Sequence, residues 1–198
     1  MGGTDLEFVN GYLQESAEKL AEFAQDKQYH DKLNRFGELM AGSIQAGGKL
    51  LLAGNGGSAG DAQHIAGEFI SRLFVERSPL PAIALTTDTS VMTAVANDYG
   101  YVHVFERQLL GLGRKGDVFV GISTSGKSES ILKALSTARS LGLKTVGLTG
   151  QNRNPMDEFC DEILHVPSNK TAIIQQLHIV AAHIFCGLVE RRIVSAAD

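Results

Sequence analysis

The 198-residue chain has no tryptophan, only four prolines and only two cysteines, Cys160 and Cys186. Two cysteines cannot form a disulfide framework, and neither has partners at zinc-binding spacing, which favours a reducing compartment. The first ten residues lack the basic and apolar regions of a signal sequence, and no uncharged apolar run reaches the roughly 18 residues that a membrane span needs. The sequence therefore predicts a cytoplasmic protein.

A strong excess of charge is also missing. Lys and Arg number 18 against 22 Asp and Glu, which gives a formal net charge of -4. This balance provides no general attraction to nucleic acid, so an anionic ligand must be held by local groups. Hydrophobic residues make up 43 % of the chain, enough for one globular core. The 22 glycines exceed average usage, which is roughly 7 %, so their positions are informative.

The apolar pattern predicts an α/β fold. Helical periodicity occurs twice within residues 1–46, and Gly47 and Gly48 predict the end of the second helix. Short apolar runs then alternate with helical segments, and five of these runs are predicted strands: 49–53, 82–86, 117–122, 144–148 and 162–166. Such alternation favours a three-layer sandwich around a five-stranded parallel sheet.

We interpret the chain as one structural unit with two parts. Residues 1–46 form an N-terminal helical extension, a candidate oligomerisation element, and residues 47–198 form the α/β domain. The alternative is that both helices pack on their own domain. The last helix, predicted over 171–193, has an apolar stripe broader than a surface helix needs, which indicates burial, including burial against another subunit.

Two loops that follow predicted strands have unusual compositions. The first, Gly54-Asn55-Gly56-Gly57-Ser58, precedes a helix that begins near Ala59. Glycines allow close approach of the backbone to a ligand, and a helix N-terminus presents free N–H groups to an oxygen-rich one. The spacing matches neither a Walker loop nor the dinucleotide fingerprint, and a tight turn without a ligand is the alternative.

The second loop places Ser123, Thr124, Ser125 and Ser128 at the start of a helix. Hydroxyls there can donate to phosphate oxygens, and the helix dipole contributes roughly 0.3 to 1 kcal/mol toward an anion. Capping of the helix is the alternative, but it accounts for one hydroxyl and not for four. The loop therefore predicts a phosphate site.

Candidate metal ligands and acid–base groups lie on two helices. His64 and Glu68 are four residues apart and share one helical face. Gln175 and His183 lie about 80 degrees apart around the last helix and could converge on the same site. Two imidazoles, a carboxylate and an amide oxygen favour zinc over magnesium or calcium. A surface ion pair between His64 and Glu68 is the alternative, and His178 is interpreted as a packed core histidine.

Together these motifs resemble the SIS (sugar isomerase) domain family, and within it the phosphoheptose isomerases. Four stretches carry the resemblance: 53–58 with 61–64 and Glu68, then 96–100, then 121–126, and finally 174–175 with His178 and His183. It implies a flavodoxin-like sandwich. It also implies a cytoplasmic homotetramer in which neighbouring subunits complete each active site.

The resemblance assigns roles to individual residues. It implies that the sugar is bound by Asn55, Gly56, Gly57, Glu68, Asn97, Asp98 and Gln175. Ser123, Thr124, Ser125 and Ser128 hold the phosphate, and one zinc ion per subunit is held by His64, Glu68, Gln175 and His183.

The implied reaction interconverts sedoheptulose 7-phosphate and glycero-manno-heptose 7-phosphate, an early step toward the heptoses of bacterial lipopolysaccharide, capsule and other surface glycans. A proton moves between C1 and C2 through an enediol, which requires a base and an acid. Glu68 is the candidate base and His183 the candidate acid. Because metal coordination lowers basicity, the ligand and catalytic roles of these residues can belong to different stages.

Departures from the family pattern leave two alternatives open. The family commonly has Ile-Gln-Glu where this chain has Ile174-Gln175-Gln176, and residues 169–172 are also atypical. The first alternative is a non-enzymatic SIS protein that binds a replication initiator, although such relatives lack the full acid–base set. The second is an isomerase for another sugar phosphate.

Overall fold

A five-stranded parallel sheet forms the centre of the fold, as the apolar runs predict. The computed structural model describes residues 4–196; the outer ends of the two predicted parts, 1–3 and 197–198, lie outside this range. The strands are β1 (Leu50–Gly54), β2 (Ala82–Ala84), β3 (Val118–Ile122), β4 (Lys144–Thr149) and β5 (Glu162–His165). Their order is β2-β1-β3-β4-β5, which is the flavodoxin-like order.

Seven α-helices surround the sheet within the described residues: α1 (Asp5–Gln25), α2 (Lys27–Gln45), α3 (Gly57–Ile70), α4 (Thr89–Tyr99), α5 (Val104–Leu112), α6 (Glu129–Ser140) and α7 (Thr171–Ser195). α2, α3 and α7 cover one face of the sheet, and α5 and α6 cover the other. β1 and β3 are buried along their whole length, as central strands of a doubly covered parallel sheet must be.

The edge strand β2 is shorter than the predicted run 82–86. Its ladder with β1 ends where Leu85 N–H donates to the carbonyl of Leu52 at 2.8 Å, and the chain then turns at Thr86. The turn places Thr86 beside α3, because Gln63 Nε2 donates to the Thr86 hydroxyl at 3.2 Å. The apolar pattern marks the strand but not the point at which the chain leaves the sheet.

The two N-terminal helices contribute differently to the core. α2 buries Leu33, Phe36 and Met40 against α7 and the sheet. α1 buries only Phe23 among its described residues, and its other large apolar side chains stay exposed: Leu6, Phe8, Val9, Leu13 and Leu20. α2 is therefore a layer of the α/β core, and α1 alone extends from it with an uncovered apolar face.

α7 is long and apolar enough to cross a membrane by length and composition, with a mean hydropathy of 1.7, but 56 % of that window is buried inside this chain. Ile174, Leu177 and Ala181 of the predicted stripe lie in the core, whereas Ile184 remains exposed. Much of the stripe is thus explained by the chain's own core. His178 is fully buried, which confirms its interpretation as a core histidine, and burial lowers its pKa to about 4.

A buried ion pair fixes the end of α3 to α7. Arg77 donates to the backbone carbonyls of Glu68 and Phe69 at 2.8 and 2.9 Å, and its guanidinium lies 3.0 Å from Glu190. Glu190 also accepts the backbone N–H groups of Leu73 and Phe74. Burial raises the pKa of Glu190, but these hydrogen bonds and Arg77 outweigh it, so the pKa lies below its usual value. The two helices are therefore held together by a charged pair.

Candidate functional site

α3 and α7 bring three of the predicted metal ligands together. The Nε2 atoms of His64 and His183 lie 2.8 Å apart, although the residues are 119 positions apart in the chain. Oε1 of Glu68 lies 3.3 Å from Nε2 of His64. One ligand atom from each of the three residues lies within 4.8 Å of the others. These residues form a candidate metal site, which we call the triad.

The fourth predicted ligand, Gln175, lies against the first predicted loop, residues 54–58, which we call the glycine loop. The side-chain amide of Gln175 lies where a Cβ atom of residue 57 would be, so the glycine allows this close approach. The contact joins the start of α7 to the start of α3. The neighbouring Gln176, at the position where the family commonly has Glu, points elsewhere: its Nε2 donates to the hydroxyl of Tyr12 on α1 at 2.9 Å.

An unpaired carboxylate lies one turn before His64. Asp61 is buried, and its Oδ2 has no hydrogen-bond partner among residues 4–196. Burial raises the pKa of Asp61 from 3.8 to about 6, although nearby His64 acts to lower it. A buried carboxylate without a partner is costly, and a cation bound nearby would relieve that cost. The donor set of the triad also fits such a cation, since two imidazoles and a carboxylate are typical ligands of transition metals.

The second predicted loop, residues 123–128, which we call the hydroxyl loop, runs from β3 to α6. Ser128 occupies the N-cap position of α6, but its side chain makes no capping hydrogen bond. Its Oγ instead accepts from Nδ2 of Asn55 at 2.7 Å. Ser123 is buried, whereas Ser125 is exposed and accepts the N–H of Lys127. The capping alternative therefore does not explain these hydroxyls.

Asn55 connects the two predicted loops with a third segment. Its Nδ2 donates to the hydroxyls of Ser128 and Ser130 at 2.7 and 3.1 Å. Its Oδ1 accepts the hydroxyl of Tyr101 at 2.7 Å. Both polar atoms of this amide are therefore hydrogen-bonded, and the first loop is held against the start of α6. Sequence reasoning missed Tyr101 and Ser130; Tyr101 follows the 96–100 motif by one residue, which is the only signal that could have indicated it.

Asn97 and Asp98 lie near the end of α4. Both are exposed, and Nδ2 of Asn97 donates to Oδ1 of Asp98 at 2.8 Å. Among the described residues, neither makes a side-chain hydrogen bond to the glycine loop or the hydroxyl loop. Tyr101, just after α4, is the residue of this segment that hydrogen-bonds to Asn55. A sugar contact by Asn97 and Asp98 remains a prediction.

A cavity of about 460 Å³ adjoins the hydroxyl loop on the side of β4. Its lining includes Thr124 and Ser125 of the loop, the basic side chains of Lys127 and Arg153, and Ile174 at the start of α7. Two cations beside hydroxyls at a helix N-terminus favour an anionic ligand. The overall charge of -4 is therefore compatible with a local anion site.

Comparisons with known proteins point to one family. The family described as SIS domain matches residues 11–150. A phosphoheptose isomerase of Burkholderia pseudomallei is 49 % identical over 193 residues, which cover 98 % of each chain. The solved structure of a phosphoheptose isomerase from Neisseria gonorrhoeae has a TM-score of 0.89 and 39 % identity, and covers 95 % of this chain and 100 % of its own. One from Francisella tularensis has a TM-score of 0.91, 35 % identity and coverages of 96 % and 100 %.

Proposed function

Because the chain belongs to the phosphoheptose isomerase family of SIS-domain proteins, we propose that it interconverts sedoheptulose 7-phosphate and glycero-manno-heptose 7-phosphate in heptose biosynthesis. The observation that carries this proposal is the triad. It brings a carboxylate and two imidazoles together on one partly exposed surface, two turns after the start of α3, which follows the first loop. An aldose–ketose isomerisation needs these group types beside a phosphate site.

Glu68 is the base that moves the proton between C1 and C2. His183 gives a proton to the C2 oxygen as the enediol forms and takes one from the C1 hydroxyl as the enediol collapses to the aldose. Each group needs an atom that does not hold the cation for its part of the cycle, and His183 has a second ring nitrogen for this. A carboxylate has two oxygens, so Glu68 can hold a cation with one and move a proton with the other.

The metal ion is zinc, one per subunit, held by His64, Glu68, His183 and Gln175. Two imidazoles with oxygen ligands suit zinc better than magnesium or calcium. When bound, zinc supplies Lewis-acid stabilisation of the negative charge that develops on the sugar oxygen. The contact of Gln175 with Gly57 supports its part in this set, because it holds the side chain at the start of the helix that carries His64.

The substrate binds across the two loops. Ser123, Thr124, Ser125 and Ser128 hold the phosphate, with Lys127 and Arg153 adding positive charge from the neighbouring cavity. The sugar lies toward the triad, in contact with Asn55, Gly56, Gly57, Asn97 and Asp98. Tyr101 fixes the amide of Asn55 and therefore the direction in which that amide can bind a hydroxyl.

The active protein is a cytoplasmic homotetramer in which neighbouring subunits complete each site. Large apolar side chains of α1 are uncovered; Phe8, for example, is 74 % exposed. A surface of this kind is stabilised by burial against another chain. Within the predicted extension, residues 1–46, α1 thus serves as the oligomerisation part, whereas α2 packs into the core of the SIS domain, 47–198.

We expect purified protein to convert sedoheptulose 7-phosphate to heptose 7-phosphate. The measurement is a coupled assay on a panel of ketose phosphates with six and seven carbons. Highest kcat/KM on the seven-carbon ketose supports the proposal. A higher kcat/KM on a six-carbon ketose phosphate would show that the substrate is a hexose phosphate. No turnover on any of the panel would favour a binding protein of the same fold.

Metal removal provides a separate test of the zinc assignment. We expect elemental analysis to find about one zinc per chain, and chelation to reduce turnover with recovery on addition of zinc, because the triad residues are its ligands. Gln63→Ala, which alters an exposed residue beside His64 on α3, is the matched control and should retain its zinc. A metal-free preparation with full activity would limit the triad to acid–base and polar roles.

A further inference from the structure

Outside the triad, the segment after β4 contains a second cluster of charged and polar side chains. Nε2 of His165 lies 2.9 Å from Oδ1 of Asp157, and Oδ2 of Asp157 accepts the backbone N–H of Asn154 at 2.7 Å. Oδ1 of Asn154 accepts the N–H of Met156, and its Nδ2 donates to the hydroxyl of Thr149. The side chains of Asp157 and His165 are therefore linked to each other and to the backbone of Asn154. We call Asn154, Asp157 and His165 the bracket.

The bracket reaches the hydroxyl loop at two points. The first is Gly126, which has φ +64 and lies directly against the Asn154 side chain, so that a Cβ atom there would overlap the amide. The second is Gly150, whose carbonyl lies 3.0 Å from Nδ1 of His165 and whose N–H donates to the carbonyl of Thr124 at 3.2 Å. One side of the loop is therefore supported near its start and at its turn.

Charge strengthens this support. Each ring nitrogen of His165 faces an acceptor oxygen, one from Gly150 and one from Asp157. Partial burial raises the pKa of Asp157, but hydrogen bonds from Asn154 and His165 outweigh it and leave the pKa below its usual value. Charge-assisted hydrogen bonds are stronger and more directional than neutral ones. None of the three residues contacts the triad.

We propose that Asn154, Asp157 and His165 are positioning residues that hold the hydroxyl loop in its phosphate-binding conformation. The inference rests on the assignment of that loop to the phosphate under the proposed function. The bracket touches the backbone of the loop and leaves the hydroxyls of Ser123 and Thr124 free for the ligand. Its effect is on binding of the phosphate group, which is the same in substrate and transition state, so it changes KM and leaves kcat nearly constant.

The test compares three substitutions with a control on the same strand. Asn154→Ala removes the contact with Gly126, and Asp157→Asn and His165→Asn weaken the link to Gly150. Glu162→Gln is the control, because Glu162 pairs with Lys32 and Arg35 at the opposite end of β5, away from the loop. For each protein, kcat and KM on the sugar phosphate are measured, together with the dissociation constant of inorganic phosphate from the shift in unfolding temperature.

For Asn154→Ala we expect about a tenfold rise in both KM and the phosphate dissociation constant, since small misplacement of binding groups is costly. The other two bracket variants change in the same direction, zinc content stays constant, and Glu162→Gln changes neither constant. Asp157→Asn preserves shape and remains informative if Asn154→Ala fails to fold.

The outcomes separate the bracket from the proposed function. If the wild type turns over no sugar but the bracket variants still weaken phosphate binding, the positioning role of the bracket is supported and the proposed isomerase activity is wrong. The bracket is overturned if phosphate binding is unchanged in the folded variants, or if kcat falls and KM does not. It is also overturned if Glu162→Gln has the same effect.

Discussion

Glu68→Gln and His183→Gln are each expected to reduce kcat by about 100-fold to 10,000-fold, the usual contribution of one positioned acid–base group. Glutamine keeps the size of Glu68 but cannot accept the C–H proton, and at position 183 it cannot exchange one with the sugar oxygen. The measurement is kcat on sedoheptulose 7-phosphate with zinc present. Because the two groups act in one cycle, the double variant should be little worse than either single variant.

The fold should survive both substitutions. The His64–Glu68 contact is partly exposed, with His64 at 45 %, and exposed pairs contribute at most about 1 kcal/mol. Glu38→Gln on α2 is the matched control, since it alters an exposed carboxylate paired with Arg192 far from the triad. Turnover near the wild-type value in either triad variant would show that the roles are assigned to the wrong residues.

Arg77→Met is expected to lower the free energy of unfolding by about 3 to 5 kcal/mol, because it leaves Glu190 buried without its cationic partner. The two side chains are only 4 % and 2 % exposed. The same substitution removes the hydrogen bonds that hold the carbonyls of Glu68 and Phe69. Urea unfolding followed by circular dichroism measures the loss.

Two further variants identify the origin of that loss. Lys19→Met removes the partner of Glu22 in an exposed pair on α1 and should cost at most about 1 kcal/mol. The double variant Arg77→Met with Glu190→Gln should lose less free energy of unfolding than the two single variants lose together, since no unpaired charge remains. Additive losses, or an Arg77 variant as stable as the Lys19 one, would contradict a coupled pair at this position.

The strand positions could be predicted from sequence because burial on both faces demands continuous apolar runs. The run at 49–53 corresponds to β1 and the run at 117–122 to β3, each within one residue. β2 was harder to delimit, since an edge strand ends where a turn draws the chain away. The predicted fold class is confirmed. The division of α1 and α2 between surface and core depends on packing against α7, which no local pattern contains.

The site could be predicted only in part. The four-residue spacing places His64 and Glu68 on one face, and this follows from helix geometry alone. That His183 meets them follows from the crossing of α3 and α7, which a linear sequence does not specify. Tyr101 and Asn154 lie at the starts of short 3-10 segments, which are too short to show a periodicity in the sequence. They became visible only through the atoms they touch.

The partial exposure of the triad also affects how chains of this fold can diverge. A substitution at His64 or Glu68 removes chemistry but disturbs little of the packing, whereas most losses of stability arise in the core. A lineage can therefore lose the reaction and still inherit an intact scaffold with its hydroxyl loop. Selection on protein abundance would not detect such drift; only selection on turnover would preserve the three side chains together.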